Sequence, residues 1–366
     1  MNTKVDKILL AIIITLMVIG FFIFSSASLG LLAREGARFS SVAFSQILFG
    51  IIGGSIGMFL TSQIYYRNYR NYAFYIFLFT CLLTLAVFIP GIGLSHGGAT
   101  RWLHIAGFSF QPSELLKIGF VIYMATWLSG KQKKIHSFKE GLFPFIIITS
   151  IAGGILLLQP DTDTFLLMGT AAMAMFITAG GRWKDVGLMF LSGVLLLLLL
   201  AYTRPYIMDR FTTFLDPFND PQGKSYQIQQ SLIAIGSGGV IGRGFGQSIQ
   251  KFEYLPEPIG DSIFAVFAEE FGFIGSVILI LLFVFFTFRG YYIASHAKDL
   301  FGMLLVVGFI TLITLQAFLN IAAMLSIAPL MGLPLPFVSH GGTALLTTLI
   351  AVGIVLNVSK YQKKIV

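Results

Sequence analysis

Long apolar runs with hardly a charged side chain recur along this chain. They cover roughly residues 8–32, 42–63, 72–89, 112–129, 141–158, 162–180, 186–203, 262–288, 301–325 and 340–358. A helix needs about 20 such residues to cross the ~30 Å hydrocarbon core of a bilayer. Inside that core every backbone amide must be paired within the protein, which leaves only helices and closed barrels. Barrel strands are runs of about 10 residues with alternating polarity, and these runs are continuous and longer. The expected fold is therefore all-α, a polytopic membrane protein with about ten transmembrane helices. Hydrophobic residues make up 56% of the chain and charged ones 11%, against about 25% charged in soluble domains. That contrast excludes an ordinary soluble enzyme, a disordered chain and a small secreted scaffold. The first run has no small-residue cleavage site after it and reads as a retained anchor. Cys81 is the only cysteine, so no internal disulfide can form. Residues 1–366 read as one transmembrane domain.

The basic residues set an orientation, because cytoplasmic loops carry the excess of Lys and Arg. With the N-terminus inside, 15 Lys and Arg fall on cytoplasmic segments, among them Lys131, Lys133, Lys134 and Lys139 and the terminal Lys363 and Lys364. Eight fall outside, and five of those, including Arg210 and Lys224, lie in one long segment, 204–261. Both termini are then cytoplasmic, and the net charge of +8 marks membrane topology; no nucleic-acid partner is expected. The 204–261 segment is a large extracytoplasmic loop, and loops of that length usually have a function. Its semi-apolar stretch Ile228 to Ile235 is expected to form a short helix. A second outer segment, 90–111, is glycine-rich and holds Arg101, Trp102 and His104. Chemistry is expected at this outer face.

Charges inside spans are costly and tend to mark function. Glu114 and Lys117 lie three residues apart, on one helix face and close enough to pair. They are either a structural ion pair or a cation held ready for a phosphate. Asp161 and Asp163, after Gln159-Pro160, can cap a helix or hold a cation. Glu269 and Glu270 point about 100° apart, so one is expected to accept helix-terminal amides and the other to pair with a base. Asp261, closing Tyr254-Leu-Pro-Glu-Pro-Ile-Gly-Asp261, is either the N-cap of the next span or a carboxylate at the membrane boundary facing a lipid-borne substrate. Leu333-Pro-Leu-Pro-Phe-Val-Ser339-His340-Gly-Gly forbids regular helix, and such backbone at membrane depth must be buried or line a polar cavity. His340 is expected to be hydrogen-bonded within the protein. The glycines from Gly50 to Gly57 are expected to serve close packing inside the chain. No His/Cys metal cluster and no nucleotide fingerprint are present in the sequence.

Together these residues resemble the shape, elongation, division and sporulation (SEDS) family, the FtsW/RodA membrane proteins. The resemblance runs through Ser25-Ser-Ala-Ser28, Arg101-Trp102, Gln111-Pro-Ser-Glu-Leu-Leu-Lys117, Gln159-Pro-Asp161 and Phe214-Leu-Asp-Pro-Phe-Asn-Asp-Pro221. It continues through Tyr226-Gln227, Gln230 to Gly239, Tyr254-Leu-Pro-Glu257, Asp261, Glu269-Glu270, Asn320 and Gly332 to Ser339. The compact stretch from Gly244 to Tyr254 looks more like the division branch, FtsW, than the elongation branch.

The resemblance implies a peptidoglycan glycosyltransferase in the bacterial cytoplasmic (inner) membrane. Such an enzyme joins lipid II units into glycan strands outside that membrane, during cell division, and releases undecaprenyl pyrophosphate. It implies Asp261 as the essential carboxylate, a general base. Arg101, Glu114, Lys117, Asp161, Arg210, Gln227, Gln230, Glu257 and Ser339 become substrate-side candidates. A divalent cation, Mg or Mn, is an expectation near Asp261 or Asp161. The expected partners are lipid II, a class B penicillin-binding protein transpeptidase and other divisome membrane proteins. A lipid II flippase and a non-catalytic scaffold for the transpeptidase are the alternative readings. The chain departs from the family pattern at Ile259-Gly260, where His-Thr is expected. It departs again at Asp163 for Gly, Met331 for Thr, His340 for Tyr and Thr343 for Ser.

Overall fold

The computed structural model describes residues 4–34, 36–96, 99–105, 108–218, 220, 223 and 225–362. Asn219 and Pro221 of the 214–221 motif, and Lys224, Lys363 and Lys364 of the charge pattern, lie outside the described residues.

The chain opens with α1 (Lys7–Arg34) and α2 (Gly36–Ser45), which continues through π-helical Gln46–Gly53 into α3 (Gly54–Gln63), and then α4 (Asn68–Leu85). A small antiparallel sheet follows, β1 (Gly93–His96), β2 (Ala99–Ile105) and β3 (Phe108–Phe110). Next come α5 (Pro112–Gly130), α6 (Phe143–Leu158), α7 (Thr162–Thr178) and α8 (Trp183–Thr203). The long loop holds α9 (Pro205–Leu215), α10 (Tyr226–Ser237) and the single turn α11 (Gln250–Glu253). The chain closes with α12 (Ile263–Ser295), α13 (Leu300–Met324) and α14 (Gly342–Ser359).

Eight of the described helices are long and apolar enough to cross a membrane. Two more stand where the sequence predicts spans: α5, whose 19 residues carry Glu114 and Lys117, and α7, with 17. At 1.5 Å per residue they measure about 28 and 26 Å, close to the bilayer core. The chain is a multi-pass membrane protein. Within their apolar windows α13 is 78% and α14 72% buried, while α8 is only 11% buried. The first two form the centre of the bundle, and α8 stands at its edge with Phe190, Leu195 and Leu198 exposed.

The sheet in 93–110 corrects the reading of that segment as a plain glycine-rich loop. Side chains alternate across a strand, so Ala99, Arg101 and Leu103 share one face of β2. Ala99 and Leu103 are buried, and Arg101 is thereby turned toward the bundle. Glycines of α3 meet α14, as the sequence predicts for internal packing: a Cβ on Gly54 would sit 2.5 Å from Leu349, and one on Gly57 2.8 Å from Ile350.

α12 leaves helical geometry at Gly272 (φ 64°). The carbonyls and amides freed there are taken up by the loop after α10. Arg243 and Gly244 donate to the Glu269 and Glu270 carbonyls at 3.0 Å, and Phe273 and Ile274 donate to Gly239 and Val240 at 2.9 and 3.1 Å. The contact is backbone on backbone. A Cβ on Gly242 would lie 2.2 Å from the Glu270 carbonyl oxygen, and one on Gly272 2.3 Å from the Gly242 nitrogen.

The two glutamates beside this break divide their work only in part as their 100° separation predicts, because Glu269 also lies 3.5 Å from the Arg243 guanidinium and Glu270 also accepts the Ser248 amide at 3.4 Å. Glu269 accepts the amides of Ile249 (3.1 Å) and Gln250 (3.3 Å) at the start of α11 and the Ser248 hydroxyl (2.6 Å). Glu270 pairs with Lys251 at 2.8 Å, both fully buried, and accepts the Ser26 hydroxyl of α1. Breaking a buried ion pair strands the remaining charge at a cost of about 3–5 kcal/mol, whereas replacing both partners with apolar residues is often neutral. Lys251→Ala is therefore expected to lower the unfolding midpoint of the purified protein sharply, and Lys251→Met with Glu270→Leu to recover most of the loss. Thermal unfolding in detergent followed by tryptophan fluorescence checks both.

Candidate active site

The site is built where helices stop. Prolines and glycines keep 254–262 and 325–341 out of regular helix. Their backbones are tied to each other and to α13. Asn320 Nδ2 donates to the carbonyls of Asp261 (2.8 Å) and Leu333 (2.7 Å). Ser339 Oγ donates to the Gly260 carbonyl (2.7 Å) and accepts the Leu335 amide (2.8 Å). The His340 amide donates to the Ile259 carbonyl at 2.7 Å, and its ring lies 3.2 Å from Gln46 Oε1 and stacks on Phe24. Ser339 and His340 thus brace the two residues just before Asp261. Ile259, where the family pattern expects a polar residue, is buried with Phe24, Ala27 and Leu255. An apolar side chain suits that small core.

Asp261 is not a helix cap, because α12 begins at Ile263 with Ser262 in the cap position and no side-chain capping bond. Its carboxyl oxygens accept no hydrogen bond among the described residues. Burial, together with the charges of Glu257 and Asp163, pushes its pKa up to about 7, while Arg210 and Arg101 pull the other way. Glu257 is exposed on the same loop. Gln227, on α10, donates to the Ser262 hydroxyl at 3.0 Å, next to Asp261. Gln230 stands half-buried three residues further along α10.

The second wall comes from the α6–α7 turn. Asp161 caps α7, accepting the Thr164 amide (3.3 Å), with Gln111 Nε2 at 3.4 Å. Burial raises its pKa above the ordinary range, with the Arg101 charge opposing. Arg101, aimed inward by its place in β2, donates through Nε to the Gln159 carbonyl (3.2 Å) and through Nη2 to the Pro160 carbonyl. Asp163 takes Arg210 Nη1 on both oxygens, at 2.7 and 2.9 Å, and also accepts the Gly332 amide at 3.0 Å. A Cβ on Gly332 would lie 3.6 Å from Asp261 Oδ2 and 3.9 Å from Asp163 Oδ2, so the two carboxylates flank one glycine. The sequence marks Asp163 as a departure and, with Asp161, as a candidate cap or cation ligand; its ion pair with a residue 47 positions away has no local signal.

Glu114 and Lys117 form a separate, buried cluster below. Lys117 Nζ lies 2.8 Å from Glu114 and 3.1 Å from Gln316 Oε1, and the Thr347 hydroxyl donates to Glu114 at 3.2 Å. The space beside the pair is about 30 Å³, the volume of a water molecule. Gln316 Nε2 reaches the Pro334 carbonyl at 2.8 Å, which links this cluster to the loop under Asp261. A much larger apolar cavity, about 450 Å³, lies between α6, α7 and α8, lined by Phe145, Gly153, Phe165, Met173, Phe190 and Leu197 among others.

Among the described residues no three His, Cys, Asp or Glu side chains converge so as to hold a metal ion. Asp161 is engaged as a cap and Asp163 by Arg210. The Mg or Mn expected near Asp261 or Asp161 has no protein cage among the described residues. The arrangement offers one uncommitted carboxylate and two guanidinium groups nearby, and a greasy cavity lies elsewhere between α6, α7 and α8.

A family model described as "Cell cycle protein", for FtsW, RodA and SpoVE, matches residues 6–364. The chain is 40% identical over 365 residues to stage V sporulation protein E of Bacillus subtilis (strain 168), covering 99% of each. It is 38% identical over 357 residues to the probable peptidoglycan glycosyltransferase FtsW of Geobacter sp. (strain M18), covering 97% of this chain and 96% of that one. Among solved structures it resembles the rod shape determining protein RodA of Thermus thermophilus, with 25% identity, a TM-score of 0.71, and 97% and 96% of the two chains covered. It also resembles a chain of a peptidoglycan synthase complex that coordinates polymerization and crosslinking, with 25% identity, a TM-score of 0.78, and 98% and 99% covered. With eight helices long and apolar enough to cross a membrane and α5 and α7 beside them among the described residues, its tied loops around Asp261 and this match along nearly its full length, the chain belongs to the FtsW/RodA/SpoVE family.

Proposed function

We propose that this protein is a peptidoglycan glycosyltransferase that polymerises lipid II at the outer face of the bacterial cytoplasmic membrane during cell division. The observation that carries the reading is the Asp261 carboxyl: uncommitted, shifted up to about 7, and set beside Asp163-held Arg210 and inward-facing Arg101. A sugar hydroxyl is a poor nucleophile at neutral pH. A carboxylate taking its proton as the new glycosidic bond forms contributes about 10²–10⁴-fold. The bond between the donor anomeric carbon and the diphosphate oxygen breaks as the acceptor oxygen attacks from the opposite face, so configuration inverts. The departing undecaprenyl pyrophosphate gains negative charge, and fixed cations stabilise that charge as it develops; Arg101 and Arg210 are placed for it. The cavity of about 450 Å³ between α6, α7 and α8 suits part of the polyprenyl tail. The excess of basic residues on the opposite loops supports placing both termini in the cytoplasm.

The flippase reading needs a path for a disaccharide headgroup through the membrane. Glu114 and Lys117, the buried charges that would line it, are paired around a water-sized space. The polymerase reading is therefore favoured. Relatives named as glycosyltransferases and the likeness to a chain of a peptidoglycan synthase complex support it too, and support a class B penicillin-binding protein as partner.

Asp261→Ala is expected to abolish glycan ladders from lipid II on gels, with folding intact by size-exclusion profile, in assays with and without the partner transpeptidase. Full activity in that variant would remove the mechanism. A base must be unprotonated to act, so kcat/KM should fall tenfold per pH unit below about 7 and level off above it. Burial, and after it the carboxylates Glu257 and Asp163, hold this limb high, and Arg210 and Arg101 hold it back. Glu257→Gln is therefore expected to move the limb to lower pH. A limb near pH 4 in the unaltered protein would contradict the assignment.

A further inference from the structure

The family resemblance expects glycine at position 163, and the protein has an aspartate that is 4% exposed and fully engaged. Its carboxylate joins three segments distant in sequence: α7, α9 through Arg210, and the 325–341 loop through the Gly332 amide. The ion pair uses only Nη1 of Arg210. An arginine has five N–H donors, and the three on Nε and Nη2 are outside this pair. Arg210 is 28% exposed on its side chain, at the rim of the site, and its guanidinium also lies 5.8 Å from the Tyr206 ring. Gly332, whose amide Asp163 holds, is the glycine that both Asp163 and Asp261 flank. A long cationic side chain at a rim loses considerable rotamer freedom when a ligand immobilises it, and a carboxylate that fixes it in advance removes that cost from the binding step.

We propose that Asp163 is a positioning residue for the reaction. It fixes the Arg210 guanidinium and the Gly332 turn beside Asp261, so that the remaining arginine donors meet the diphosphate of a polyprenyl-diphosphate sugar. The inference rests on the glycosyltransferase reading above and adds a residue to it. The part of its effect that runs through Arg210 must vanish when Arg210 is gone, while its hold on the Gly332 amide and its charge beside Asp261 remain.

The test pairs kinetics with hydrogen exchange on the full-length protein in detergent. Asp163→Asn should lower kcat/KM for lipid II polymerisation by roughly tenfold, a size seen for directly coupled charged neighbours. Asp163→Glu should restore part of it. In an Arg210→Ala background, measured on the high-pH plateau where the Asp163 charge no longer alters Asp261 protonation, Asp163→Asn should lower the rate by clearly less, about threefold at most. Amides of 205–215 and 330–333 should exchange about tenfold faster in Asp163→Asn, with α13 unchanged. Asp163→Gly, the residue the family pattern expects, provides a second variant if the asparagine form aggregates, with the same expectations. Unaltered or raised activity in Asp163→Asn, or a loss as large without Arg210 as with it, would overturn the proposal. So would unchanged exchange in both segments, whatever the activity. Full polymerisation by Asp261→Ala would sink the catalytic reading instead, and the exchange data would still decide whether Asp163 holds these segments.

Discussion

Backbone that abandons helical geometry where water is scarce must find its hydrogen bonds in neighbouring protein. In this protein that requirement shapes the whole site end of the bundle. Asn320, in the most buried helix, donates twice to backbone carbonyls, and Ser339 and Gln316 each reach another. The break in α12 is closed by the loop after α10, amide by amide. Polar side chains in the centre of an apolar bundle serve here as backbone partners, and the irregular segments around Asp261 hold one shape because of them.

Charge placement follows the same logic. Glu114 with Lys117, Glu270 with Lys251 and Asp163 with Arg210 are each paired at 2.7–2.8 Å. Isolated buried charges cost far more than paired ones. Asp261 differs: its backbone carbonyl is tied while its carboxyl is not, and two neighbouring carboxylates act on it. A group in that position trades its proton near neutrality, which an ordinary surface aspartate does not do.

Much of this was legible in the sequence, for physical reasons. The spans follow from uninterrupted apolar length. The nearest partners of Glu269 and Glu270 follow in part from the 100° step of a helix, and the α10 helix from the apolar pattern of 228–235. What was not legible depends on contacts between distant segments. The strands of 93–110 are short and glycine-flanked, and only the alternation of Ala99, Arg101 and Leu103 hints at them. Ser339 carries the family motif, yet its hydroxyl turns to the backbone 79 residues earlier. Asp163 and Arg210 lie on separate elements, and no periodicity connects them. Asp261 could be read two ways until the start of α12 was seen to fall two residues later.

α8 stands at the margin of the bundle, with most of its surface turned outward and an apolar cavity on its inner side. A long-chain lipid entering past such a helix never leaves the bilayer. Its supply is then a surface density, set by its mole fraction among the other lipids and by two-dimensional diffusion. Adding more carrier lipid or detergent at constant total substrate would slow such a protein as surely as withholding substrate.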